Sequence, residues 1–306
     1  MHFFVALFAL VAAAEPVEAP PAAPESLDAL RPLMDDEATL VDALHRFDKR
    51  ARELGEWEKE QARAHAARGE EDLAKEKMEE RHERFLQVDR AYKEALGRYP
   101  NNAELNNNYG EFLYDVALRF AAAIKHWKTA SILDPELSKP RNNLAIHYCH
   151  VGDYSQGLRY FDDALRLEPD NPDYLFNLAQ VYLVHSPQMQ KLRNWDAERV
   201  YREAMKLSRK ATELAPSEFS LAQDYAVNFF AGANAGYEVD WRKAAKAWQR
   251  ARPLARDKDE EYFTWLNEAR VWLREGDKEQ AARCLREALK IRPESPVARQ
   301  LLAETE

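Results

Sequence analysis

By type and spacing, the residues of this chain most suited to chemistry are His147, Cys149 and His150. The two histidines stand i, i+3, so a helix would carry both imidazoles on one side, where they could share a metal ion, with His126 as a further nitrogen. A metal site also needs a third ligand held beside them, and the sequence assembles none; two semi-buried histidines are the simpler reading. Cys149 and Cys284 are the only cysteines, 135 residues apart and in different repeat units, which is too far for a disulfide. Two free, partly buried thiols are expected. The acidic pair Asp162–Asp163 falls on a helix exterior, with no sign of a pocket to perturb it. No GxxxxGK or GxGxxG loop is present to cradle a phosphate, and no GxSxG, HExxH or CxxC motif occurs. The expectation is a protein that is not an enzyme and has neither cofactor nor metal.

Composition points the same way. Of 306 residues only 9 are Gly, 32% are charged, and Ala, Leu, Glu, Arg and Lys are plentiful, a mixture that favours helix. The formal net charge is −9 and basic residues form no run, so a nucleic-acid partner is not expected. Residues 3–14 read FFVALFALVAAA, too short to span a bilayer but suited to an export signal, with Ala12 and Ala14 placed for cleavage before Glu15. The n-region departs from the usual pattern in lacking Lys and Arg. No later segment reaches spanning length, so the mature protein is expected to be soluble, exported and either periplasmic or secreted.

The elements that position everything else are helices. Residues 15–25, EPVEAPPAAPE, form a Pro-rich linker. Residues 26–102 are expected to hold a helical hairpin and a degenerate first repeat. Leu40, Leu44, Phe47, Ala51 and Leu54 make one apolar stripe, Ala74, Met78, Phe85, Val88, Tyr92, Ala95 and Tyr99 a second, and Gly69 marks the turn between them. The charged stretch between Glu56 and Arg84 reads as a solvated outer face rather than a partner-binding arm. From there on the chain repeats itself. ALGRYP, ASILDP, ALRLEP, ATELAP and ALKIRP end at Pro100, Pro135, Pro169, Pro216 and Pro293, and ARPLAR at 251–256 is a sixth copy without the final proline. A proline cannot continue the helix, so each one resets the chain for another hairpin. A unit of about 34 residues with short insertions accounts for the spacing.

The clearest unit, at 138–171, reads SKPRNNLAIHYCHVGDYSQGLRYFDDALRLEPDN. Its Leu144, Ala145, Tyr148, Gly152, Gly157, Phe161, Ala164 and Pro169 resemble the tetratricopeptide-repeat (TPR) signature. Weaker copies carry Tyr109, Gly110, Ala123, Trp127, Ala130; Leu178, Ala179, Tyr182, Ala204, Ala211; Tyr225, Ala226, Phe229, Ala244, Trp248, Ala251; and Trp265, Ala269, Trp272, Gly276, Ala281, Leu285, Ala288. Three positions depart from the signature: Leu118 replaces a turn Gly, Ser208 an aromatic, and Glu268 a Leu. The resemblance implies an all-α fold, a right-handed α-α superhelix or TPR solenoid, preceded by the N-terminal hairpin. The repeat array would cover 103–295 in about five units, with insertions near 186–198 and 231–239 and a capping helix at 296–306. Trp195 and Tyr237 in those insertions are either exposed anchors for a partner or local plugs.

In such arrays the first helix of each pair lines the concave side. One position there recurs as Asn108, Asn143, Asn177, Asp224 and Asn267. A carboxamide both donates and accepts, so a column of them can pair with a peptide backbone. This is similar to the asparagine ladder of some superhelical TPR proteins. Asn107, Asn142, Phe176, Gln180 and Gln223 adjoin it, as do Tyr114, Phe230 and Arg270, each as readily explained by packing. The resemblance implies a scaffold or adaptor that binds a protein or an extended peptide in its groove. The alternative is a structural subunit of a cell-envelope complex such as a pilus, secretion or outer-membrane machine. The basic clamp of chaperone-docking TPR domains is not expected, because the matching positions carry Asn107, Asn142 and Asn177.

Overall fold

A computed structural model describes residues 26–306. The expected signal segment and Pro-rich linker lie outside the described residues. Every regular element among the described residues is helical, and none is long and apolar enough to cross a membrane. The chain divides into two compact units, the first ending at Leu144 and the second starting at Ala145.

In the first unit a short helix α1 (Leu27–Leu30) precedes two long ones, α2 (Glu37–Ala67) and α3 (Glu71–Arg98). Asp36 caps α2 by accepting from the Thr39 N–H, and Gly69, at φ +76°, supplies the left-handed turn before α3. The two helices run antiparallel. Tyr92 Oη donates to Asp48 at 3.0 Å, and Arg84 pairs with the buried Glu58 further out. Gly55 lies beneath the Phe85 ring, where a Cβ would come within 2.6 Å of Cζ. Next come α4 (Ala103–Asp115), capped by Asn102, and α5 (Phe120–Leu133). Gly110 lets these two close up, because a Cβ there would fall 2.5 Å from the Trp127 indole nitrogen.

The boundary between the units falls inside α6 (Lys139–His150). In the second unit α7 (Tyr154–Leu167) packs back on the end of α6 through Gly157, which faces Cys149. Then come α8 (Pro172–Val184), α9 (Ser186–Arg193), α10 (Ala197–Leu214), α11 (Phe219–Asn234), α12 (Trp241–Ala251), α13 (Lys258–Glu275), α14 (Lys278–Ile291) and α15 (Pro296–Ala303). The working pairs are α8 with α10, α11 with α12, and α13 with α14, while α15 covers the last pair with its buried Ala298.

The small-and-aromatic pattern of the sequence is the packing seam. Ala123, Gly157, Ala204, Ala244 and Ala281 occupy one position of successive second helices, and all are buried. One turn later sit Trp127, Phe161, Ser208, Trp248 and Leu285, none more than 3% exposed. Burial of these side chains, at roughly 1.5–3 kcal/mol for each large one, is what stacks the pairs.

The three departures from the signature each have a local cause. Ser208 accepts a hydrogen bond from Asn228 Nδ2 at 3.0 Å, so a polar pair fills the space of an aromatic ring. Glu268, 3% exposed, pairs with Arg252 and accepts from Gln249 Nε2 and Trp272 Nε1, at 2.6 and 3.1 Å. Leu118 adopts φ +54°, the left-handed turn a Gly would have taken, with 64% of its surface exposed.

The two insertions fold back onto their own unit. The first supplies α9, whose Met189 is fully buried beside Phe161 and Tyr182. Trp195 packs edge-on against Tyr182 at 5.8 Å, and Arg193 pairs with Asp162. In the second, Tyr237 lies against Tyr201 with ring centroids 5.3 Å apart. Of the two roles open to Trp195 and Tyr237, the structure gives them that of plugs.

Candidate functional site

The recurrent amides sit on α4, α6, α8, α11 and α13, the first helices of the pairs, and the two units treat them differently. In the first unit they are tied to one another. Asn107, 1% exposed, donates from Nδ2 to Glu111 Oε1 at 2.9 Å and to Asn108 Oδ1 at 3.2 Å. Asn143 Nδ2 donates to the same Glu111 oxygen at 3.0 Å and to Asn107 Oδ1 at 3.2 Å. Glu111 is thus the hub that joins α4 to the start of α6, a role the sequence reading did not give it. Its place four residues after Asn107 was the available signal. Asn142 is buried, and neighbouring Asn106 is spent on the Pro100 and Asn102 carbonyls. Tyr114 packs on Trp127 and Phe120.

In the second unit Asn177 on α8, Asp224 on α11 and Asn267 on α13 hold the same register. Their helices are joined beneath them: Leu175 and Phe176 share an apolar cluster with Ala211 and Leu221, and Phe229 shares another with Trp248 and Val271. Phe176, 8% exposed, is therefore a core residue, and Phe230 packs on Trp241. Asn267 donates to the Phe263 carbonyl at 2.8 Å and accepts from Arg270 at 3.1 Å. Burial lowers the pKa of that arginine, so its charge is held at some cost in a partly dry place. Gln180 and Gln223 are half-buried and make no side-chain hydrogen bond.

Asp224 stands apart. It is half-buried, has no hydrogen-bond or ion-pair partner, and burial pushes its carboxyl up from 3.8 to about 6. A partly dehydrated carboxylate with no internal partner is left with unmet hydrogen-bond acceptor capacity.

Elsewhere the chemistry is structural. Among the described residues no three His, Cys, Asp or Glu side chains gather as metal ligands. His126 Nδ1 lies 2.9 Å from Asn106 Oδ1, and His147 packs against Tyr148. Cys149 and Cys284 are buried free thiols, each pushed up to about 12 by burial, far from a reactive thiolate.

Tetratricopeptide-repeat family models match residues 142–191 and 262–295. The type IV pilus assembly protein PilF of Pseudomonas aeruginosa is 32% identical over 96 residues, 31% of this chain and 38% of that protein. The match thus spans well under half the length of that relative. Among solved structures, the C-terminal part of a TPR repeat-containing protein from Cytophaga hutchinsonii is similar over 90% of this chain and 99% of its own, with TM-score 0.54 and 14% identity. Pseudomonas aeruginosa PilF is similar over 83% of this chain and 99% of its own, with TM-score 0.51 and 15% identity. PilW, a type IV pilus biogenesis factor, covers 81% of this chain and 98% of its own, with TM-score 0.51 and 14% identity. Identities so low speak for the shared fold.

Proposed function

From a chain built on tetratricopeptide repeats, we propose a non-catalytic scaffold that holds a protein partner by an extended segment laid along α8, α11 and α13. The observation that carries this reading is the unpartnered, half-buried Asp224, flanked in register by Asn177 and Asn267 and accompanied by the unbonded amides of Gln180 and Gln223. A peptide N–H offered to Asp224 restores the hydrogen bond that burial denied it, and the two glutamines can each pair with a backbone carbonyl and N–H. The first-unit amides Asn107 and Asn143 are committed to Glu111 and hold α4 against α6 instead, while Asn108 accepts from Asn107.

The partner that this reading favours belongs to the cell envelope. The apolar stretch at 3–14 suits an export signal, and two of the similar proteins are named for type IV pilus assembly and biogenesis. A subunit of an envelope assembly that grips another subunit satisfies both readings of the sequence.

The test is affinity purification from the envelope fraction of the source, with mass spectrometry to identify what is captured. Its affinity is then measured for wild type and for the Gln180→Ala/Asp224→Ala variant. Two lost polar contacts at about 1 kcal/mol each predict a roughly 30-fold weaker complex. Unchanged affinity would remove the α8–α11–α13 face from the account.

A further inference from the structure

The geometry points to a second docking surface, on another side of α11 from Asp224: a trough between α10 and α12 that accepts an acidic amphipathic helix of a protein partner. This goes beyond the amide face and does not depend on it.

Both α10 and α12 pack on α11 but hardly on each other, which leaves a side of α11 uncovered between them. Two cavities, of about 630 and 400 Å3, open there and meet at Tyr225. The floor is Ala222, Tyr225 and Phe229, at i, i+3, i+7 along α11. One end is closed by the Tyr201–Tyr237 contact, which Gly232 permits by lying directly beneath the Tyr201 ring. The other opens past Pro253 and Leu254. The lined stretch of α10 runs from Tyr201 to beyond Glu213, about four helical turns or roughly 20 Å, the length of a helix of about 14 residues.

Charge selects the occupant. One wall carries Arg202, Lys206 and Arg209 at i, i+4, i+7, and the other carries Lys243 and Arg250. Three acids also line the trough, Glu213, Glu238 and Asp240, so it keeps an excess of cations in a chain whose net charge is −9. Arg202, Lys206, Arg209 and Lys243 are held only by neighbours on their own helix or its cap, the exposed Glu198, Glu213 and Asp240 and the half-buried Glu203. Such pairs contribute little and exchange readily for a partner's carboxylates. Arg250 has no ion pair.

The floor shows the same convergence. The Tyr225 hydroxyl makes no hydrogen bond within the protein, and its pKa is raised by burial against the pull of Arg209, Lys243 and Arg250, cations from both walls. A helix with apolar residues at i, i+3 and i+7 would cover the aromatic floor, and acids on its two flanks would meet the two walls. A strand partner has no exposed strand edge to join here, since the described residues hold no strand.

The probe is a fluorescein-labelled 16-residue peptide with Leu and Phe at i, i+3, i+4 and i+7 and Glu on both flanks, titrated with the full chain and followed by anisotropy. Binding is expected to weaken at least 10-fold in the Arg209→Glu/Lys243→Glu/Arg250→Glu variant and several-fold in Tyr225→Ala. The charge-preserving variant Arg209→Lys/Lys243→Arg/Arg250→Lys should bind within about 3-fold of wild type, with circular dichroism confirming that all variants fold. Equal binding by the charge-reversed variant, or by a Lys-flanked peptide, overturns the proposal. So does a preference for duplex DNA or phosphatidylglycerol vesicles over the peptide. Binding that appears only after deletion of residues 15–25 would assign the trough to this chain's own acidic segment and overturn it equally.

Discussion

Replacing Asp224 with Asn should make the protein more stable at neutral pH, and by an amount that pH controls. The folded carboxyl titrates near 6 because burial disfavours its charge, against 3.8 for the ordinary side chain. A raised carboxyl pKa means that the folded state binds the proton more tightly. Stability therefore falls as pH rises from about 4 through 6, and the full cost is present above that range. At about 1.4 kcal/mol per pKa unit the ceiling is roughly 3 kcal/mol near pH 7.5. Residual contact with water brings the expected figure to about 2 kcal/mol. The amide has the same shape and no charge to dehydrate, so Asp224→Asn should recover most of this near pH 7.5 and very little near pH 4. Repeat arrays do not unfold as one unit, so the direct readout is hydrogen exchange at the α11 amides, supported by urea titrations at both pH values. Other titrating groups cancel in the difference between wild type and variant. A variant no more stable than wild type near pH 7.5 would refute the reasoning, as would a gain equally large near pH 4. A stability gain accompanied by weaker partner capture would mark the carboxylate as kept for binding at the expense of the fold.

Further substitutions probe the packing. Gly157→Ala should lose about 1–2 kcal/mol, because its Cβ meets Cys149 Sγ at 2.4 Å and the Ala145 and Cys149 backbones at 3.1 and 3.2 Å; the same change at Gly97, which has open space around it, should gain roughly 0.5 kcal/mol, and urea titrations of the pair should differ in sign. Glu268→Leu restores the repeat signature yet should cost about 3 kcal/mol by leaving the half-buried Arg252 without its carboxylate, and adding Arg252→Met should recover most of the loss in a titration followed by tryptophan fluorescence. Leu118→Gly should stabilise by about 0.5 kcal/mol, since relief of about 1–2 kcal/mol of left-handed strain exceeds the added chain entropy; a lower melting temperature would refute the strain.

What could be read in the sequence was the part governed by short-range rules. Prolines at 135, 169, 216 and 293 mark helix ends because a proline cannot continue a helix that precedes it, and the alternation of Ala with Trp or Phe gives the seam because only small residues let two helices approach. What could not be read was anything decided by a partner distant in the chain. Nothing next to Glu268 announces Arg252, and nothing near Ser208 announces Asn228, 20 residues later. The fate of Trp195 was open for the same reason, since its ring rests on Tyr182 of α8. The trough along α11 escaped altogether, because its walls come from separate helices and neither carries an unusual sequence.

The recurrent polar position shows how its neighbours decide whether a side chain is spent inside the fold. A side chain on the first helix of a pair reaches the residue four places on, one turn further along the same face. After Asn107, which adjoins the ladder residue Asn108, that residue is Glu111, and it also accepts from the ladder amide Asn143 and so fastens α4 to α6. After Asp224 it is Asn228, already turned inward to Ser208. Asp224 is an acceptor facing a residue whose donor is engaged elsewhere, and no other partner reaches it. The face of α11 is left with an unmet hydrogen-bonding demand that water satisfies only in part, as the raised carboxyl pKa records. Asn143 is thus held by Glu111 of the neighbouring helix, whereas Asp224 finds no donor on its own helix or the next and keeps its acceptor capacity unspent.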